Sequence, residues 1–92
     1  MQANTKAKNV EKKIEEIMSL MDIVINDLSV PKNIRKAVSD AKEKLQSDDD
    51  PVHKASAAIY ALDDVSNDIN MPIHARTQIW TILSSLEMIK GE

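Results

Sequence analysis

The residue types able to do chemistry in this 92-residue chain are few: His53 and His74, the run Asp48–Asp49–Asp50, scattered Ser and Thr, and two arginines, Arg35 and Arg76. Metal ligation by histidine needs both rings on one face, as in H-E-x-x-H spacing. His53 and His74 instead fall near the starts of different helical segments, and the chain has no cysteine to join them. The three aspartates could offer oxygen ligands, but no EF-hand spacing follows and no glycine sits in their loop. A solvated, helix-starting role is the simpler reading of both features. Nucleophilic catalysis needs an activated nucleophile and an oriented base. Ser29, Ser66, Thr77, Ser84 and Ser85 have no nucleophile elbow around them, and the single glycine, Gly91, cannot build a phosphate cradle. The expectation is no catalytic residue, no metal and no cofactor.

Charge narrows the partners. The formal net charge is −3, which favours solubility and works against nucleic acid or an anionic membrane as the main partner. The basic features are KAKNVEKK and the Lys32–Arg35–Lys36 cluster. Acidic residues interrupt both, and no aromatic platform lies alongside for base stacking. Nucleic acid is thereby disfavoured, not excluded. No run of about 18 apolar residues is present to span a bilayer. The opening MQANTKAKN has lysines but no apolar stretch after it and does not read as a signal peptide. With no disulfide in view, the expected location is the cytoplasm.

The elements that must position these residues read as helices. Phe is absent and Gly nearly so, while Ala, Ile, Leu, Met, Lys and Glu dominate. Val10, Ile14, Ile17, Met21, Val24 and Leu28 step by four and three, giving one face of a first helix over about 10–27, with Met18 and Ile25 widening it. Residues 1–9 are expected to form a flexible tail. Pro31 opens a second helix with Ile34, Val38, Ala41 and Leu45 inward and Ala37 beside them, because proline fits a first turn where its missing N–H costs nothing. Asp50–Pro51 starts a third, lined by Val52, Ala55, Ile59, Leu62 and Val65. Asp50 is positioned to cap the free N–H groups. Its alanine-rich middle predicts the most buried helix of the four. Pro72 opens the fourth, with Ile79, Leu83, Leu86 and Lys90 on one face, Ile82 and Ile89 next to it, and Gly91 as C-terminal cap.

A duplication runs through this pattern. NDLSVPKNIR, Asn26 to Arg35, aligns with NDINMPIHAR, Asn67 to Arg76, at an offset of 41 residues. Extending to 14–45 against 55–86 gives identities at Asp22/Asp63, Val24/Val65, Asn26/Asn67, Asp27/Asp68, Pro31/Pro72, Arg35/Arg76 and Leu45/Leu86. The chain is thus one domain over 1–92 built from helix–loop–helix repeats at about 10–47 and 51–90. A period near 40 with a post-turn proline and an arginine four residues on resembles HEAT-type repeats, which need about three units to bury their faces. Two units should close on each other instead, so the expected fold is an all-α four-helix bundle.

A more specific resemblance rests on SVPKNIRKAV, Ser29 to Val38, and SNDINMPIHARTQIWTILSSLE, Ser66 to Glu87. These stretches are similar to a small archaeal family of uncharacterised proteins, uncharacterised protein family 0147. The resemblance covers most of the chain beyond the N-terminal tail. It implies a compact all-α domain and no activity, substrate or cofactor.

The repeat sorts the remaining candidates. Asp27, Arg35, Pro31 and their mates Asp68, Arg76, Pro72 occur twice, which favours a structural role. A cation one turn into a helix opposes the dipole, so Asp27–Arg35 and Asp68–Arg76 pairs are expected to clamp the loops, within or between repeats. His74, Thr77, Gln78 and Trp80 have no match: their partners are Asn33, Lys36, Ala37 and Ser39. With Tyr60, the other aromatic residue, they form the expected interaction surface. A good core without catalytic chemistry points to a protein-interaction or scaffold module, associating with an unknown protein or with itself through the third helix or the Trp80 face. The alternatives are a nucleic-acid-associated accessory protein and a small metal-binding protein or enzyme.

Overall fold

The computed structural model describes the backbone of residues 2–91 and the side chains of residues 9–91. Four helices follow one another: α1 (Gln2–Ile25), α2 (Lys32–Leu45), α3 (Pro51–Asp63) and α4 (Ile73–Lys90). No strand occurs among the described residues. Each helix packs on its neighbours in sequence, and α1 closes the ring against α4. The result is an up-down-up-down four-helix bundle whose α1–α2 and α3–α4 loops share one end.

The two halves superpose in burial more closely than in identity. The buried positions of 14–45 are Ile14, Ile17, Met21, Val24, Val30, Ile34, Val38, Ala41 and Leu45. Adding 41 to each gives Ala55, Ala58, Leu62, Val65, Met71, Ala75, Ile79, Ile82 and Leu86, all buried as well. Only Val24/Val65 and Leu45/Leu86 in that set are identical residues. What repeats is the register: a ridge every three or four residues on each helix, meeting its mate across the core. Volume is traded within it, Ile14 and Ile17 of α1 standing opposite in register to Ala55 and Ala58 of α3. The small side chains of α3 are the complement of the larger ones elsewhere, as close packing at near-crystalline density requires.

Both loops are built alike. Pro31 and Pro72 precede α2 and α4 with φ/ψ of −52/146 and −58/149. Asp27 N–H and Asp68 N–H donate to the carbonyls of Val24 and Val65 at 3.1 and 3.0 Å. Val30 N–H and Met71 N–H donate back to the Asp27 and Asp68 carbonyls, each at 3.1 Å, and so seat Val30 and Met71 under the loop.

Four expectations need correction. The first helix does not wait for its apolar stripe: it begins at Gln2, over residues expected as a tail, Met1 lying outside the described residues. Gln, Ala, Asn, Thr and Lys contain no breaker, and a helix nucleated downstream extends through such residues readily. Leu28 leaves the stripe because α1 ends at Ile25, and its side chain is exposed. On α4 the inward face is Ala75, Ile79, Ile82, Leu86 and Ile89, with Leu83 half-buried and Lys90 exposed, a rotation of the expected stripe. Finally, the start of α3 lacks the expected side-chain cap, although the helix does keep the smallest share of exposed residues among the described parts of the four, with Ala55, Ala58 and Leu62 sealed and Val52 and Ile59 half-covered. Asp49 Oδ1 accepts the Asp50 N–H at 2.7 Å, and the exposed Asp49 and Asp50 carboxylates lie 3.5 and 4.0 Å from His53 Nδ1.

Candidate functional site: the loop end and the outer face of the fourth helix

The expected Asp–Arg clamps do not form; the aspartates and arginines each hold the loops by other means. Asp27 Oδ1 accepts the Ser29 N–H at 2.9 Å, and Asp68 Oδ1 accepts the Asn70 N–H at 2.8 Å. These are Asx turns, in which a short carboxylate substitutes for a backbone acceptor two residues back. The arginines turn to main-chain oxygens. Arg35 Nε donates to the Val30 carbonyl at 3.0 Å and Arg76 Nη2 to the Asp68 carbonyl at a longer 3.4 Å. A loop carbonyl at the end of a helix is a nearer acceptor for the guanidinium than a carboxylate already engaged in its own turn.

The second oxygen of each aspartate ties the halves together. Asp27 Oδ2 lies 2.8 Å from Nε2 of His74, and Asp68 Oδ2 accepts from Nδ2 of Asn33 at 3.1 Å. Asn33 and His74 are equivalent positions, so the two contacts are one pseudo-twofold interaction made with different chemistry. Hydrogen bonds from the Ser29 hydroxyl, from His74 and from the Ser29 N–H hold the Asp27 carboxyl down at about 2, against an ordinary 3.8. A carboxylate in that state only accepts, so Nε2 carries the proton that His74 shares with it.

Ser29, His74 and Asp27 therefore meet, and their types match a nucleophilic triad. Their arrangement does not. In a triad the aspartate holds one ring nitrogen and the serine meets the other. Here Nε2 faces both Asp27 Oδ2 and, at 3.3 Å, Ser29 Oγ. The Ser29 hydroxyl gives its own proton to Asp27 Oδ1 at 2.6 Å. Nε2, the ring nitrogen that faces that hydroxyl, already carries a proton and takes none from it, and the cluster acts as a knot between repeats.

The other candidates part company. His53 is exposed beside Asp49 and Asp50, and no group of three or more potential metal ligands gathers among the described residues. The basic cluster disperses: Arg35 serves its loop and Lys36 pairs with Asp40 at 3.2 Å one turn along. Lys6 and Lys8 have side chains outside the described residues. Tyr60 is 80% exposed and lines a shallow groove of about 290 Å³ between α2 and α3, with Lys36, Ala37 and Asp64 among its walls. Gln78 occupies the place of Ala37 in the second half but is half-buried, its Oε1 shielded and without a hydrogen-bond partner, as is Arg76 Nε. Of the four unmatched residues, His74 is drawn into the knot and Gln78 inward. Only Thr77 and Trp80 face outward together.

They are not alone on that face. Ile73, Thr77, Trp80, Ser84 and Met88 recur at intervals of three and four and form one stripe along the outside of α4. Ile73 is 84% exposed, Trp80 59% and Met88 61%. The exposed Thr81 lies beside it on the same helix. The stripe contains no charged residue, and it spans ~22 Å at the helical rise. The equivalent positions of the first half are Lys32, Lys36, Ser39 and Glu43 of α2 and Ser47 just past its end, with Asp40 in the place of Thr81. Sequence reasoning found Thr77 and Trp80 through the repeat but missed Ile73, Ser84 and Met88. The signal was present in the same alignment: Lys32, Lys36, Asp40 and Glu43, the charged residues of the first half on this face, give way to the neutral Ile73, Thr77, Thr81 and Ser84.

The halves also differ in how their hairpins are bridged. Lys42 of α2 reaches Asp22 of α1 at 2.6 Å, both partly exposed. Asp22 has its mate in Asp63, but Lys42 is replaced by the half-buried Leu83, so one hairpin is bridged by charge and the other by apolar contact. Among the described residues no helix is long and apolar enough to cross a membrane.

Comparison with known proteins agrees with this architecture. A crystal structure of a protein of unknown function, MMP1188, superposes with a TM-score of 0.78 at 45% identity, over 82% of this chain and 86% of that one. A UPF0147 protein of Methanocaldococcus jannaschii is 48% identical over 85 residues, covering 87% of this chain and 91% of the relative. One from Archaeoglobus fulgidus is 43% identical over 82 residues, covering 89% and 94%. The family model for an uncharacterised protein family, UPF0147, matches residues 1–89, and this chain belongs to that family.

Proposed function

We propose that this protein is a non-catalytic interaction module that presents the outer face of α4 to another protein surface. One observation carries the reading: at equivalent positions of two superposable halves, α2 turns lysines and acids to solvent while α4 turns Ile73, Thr77, Trp80, Ser84 and Met88. Both faces are equally free of the core, so packing does not account for the difference. Interface centres lose charge and gain aromatic residues and Met relative to ordinary surface, and Trp is the commonest anchor in such centres. The knot of Asp27, Ser29 and His74 supports the same reading, since its hydrogen bonds are spent on holding the bundle end rather than on chemistry.

The test is recovery of the protein from its own cells under gentle conditions, beside two variants. Trp80→Glu places a charge in the α4 stripe; Ser39→Glu places the same charge at the matching site on α2. Co-purifying protein lost from the first and kept by the second supports the module. Equal recovery by all three removes it.

A further inference from the structure

We draw no further inference here: the strongest candidate, the shallow groove between α2 and α3 walled by Tyr60, Asp40 and Asp64, rests on two acidic residues of which Lys36 already holds one, and nothing in the structure shows what would fill it.

Discussion

Helices α2 and α4 hold equivalent places in the two halves, and they resemble each other only where they face inward. Ile34, Val38, Ala41 and Leu45 of α2 correspond to Ala75, Ile79, Ile82 and Leu86 of α4, every one buried. On the outside, Lys32, Lys36, Ser39, Asp40 and Glu43 correspond to Ile73, Thr77, Trp80, Thr81 and Ser84. The inward face is under one constraint in both halves, since an apolar ridge must meet its neighbours without voids or unpaired polar groups. The outward face of a bundle helix is under no such constraint, and charged residues there are the default. Departure from that default in one half, with the other half as an internal control, is what the proposed interaction surface rests on.

Core truncation is the strongest way to test the equivalence of the halves. Met21→Ala and Leu62→Ala remove matched, fully buried side chains, and each should cost about 2–5 kcal/mol in urea unfolding. Costs that agree within about 1 kcal/mol support two equal halves; a cost below about 1 kcal/mol at either site would break the equivalence. The loop arginines should differ more visibly. Arg35→Ala removes a 3.0 Å hydrogen bond to the Val30 carbonyl and should cost about 1–2 kcal/mol. Arg76→Ala removes only the 3.4 Å contact and should lower the urea midpoint less. The reverse order would mean that the packing of the Arg76 stem outweighs its hydrogen bond.

Acid should then test the knot at Asp27. The Asp27 carboxyl lies at about 2 in the folded chain and near 3.8 when unfolded, so its contribution is fully present above the unfolded value. It is lost as pH falls through about 2, because the unfolded chain takes up the proton first. A plot of stability against pH between about 4 and 2 should fall less steeply for Asp27→Asn than for wild type. Parallel curves would show that the Ser29 and His74 hydrogen bonds contribute nothing to folding. The smallest effect on stability belongs to the face itself: Trp80→Ser and Ser39→Trp exchange the outer residues of the halves, and each should leave the monomer within about 0.5 kcal/mol of wild type. A larger loss at Trp80 would make it a structural residue and weaken the case for the face.

The two helices also differ in how well their sequence could be phased. In α2 the apolar residues form one stripe among charges, so Ile34, Val38, Ala41 and Leu45 are the only consistent inward set. In α4 the apolar residues Ile73, Ile79, Trp80, Ile82, Leu83, Leu86, Met88 and Ile89 surround the helix, and several phases fit; the one centred on Leu83 and Lys90 was wrong. The ambiguity had a physical source, since a helix with an apolar outer face has no charged side to orient it. For the candidate site the repeat isolated Thr77 and Trp80, which are exposed, but it could not foresee that His74 would turn to Asp27 or Gln78 inward. Those outcomes depend on a residue 47 positions away and on the depth of an interhelical groove.

The sequence by itself determined the four helices, the prolines that open three of them, the 41-residue duplication and most of the buried set. All of these follow from local periodicity, backbone chemistry and comparison of the chain with itself. The tertiary structure decided which acceptor each loop arginine found and that the two aspartates bind across the repeats. It also decided which side of α4 remains in solvent. Each of those is a competition among groups distant in sequence, settled only once packing fixes which of them are close enough to meet.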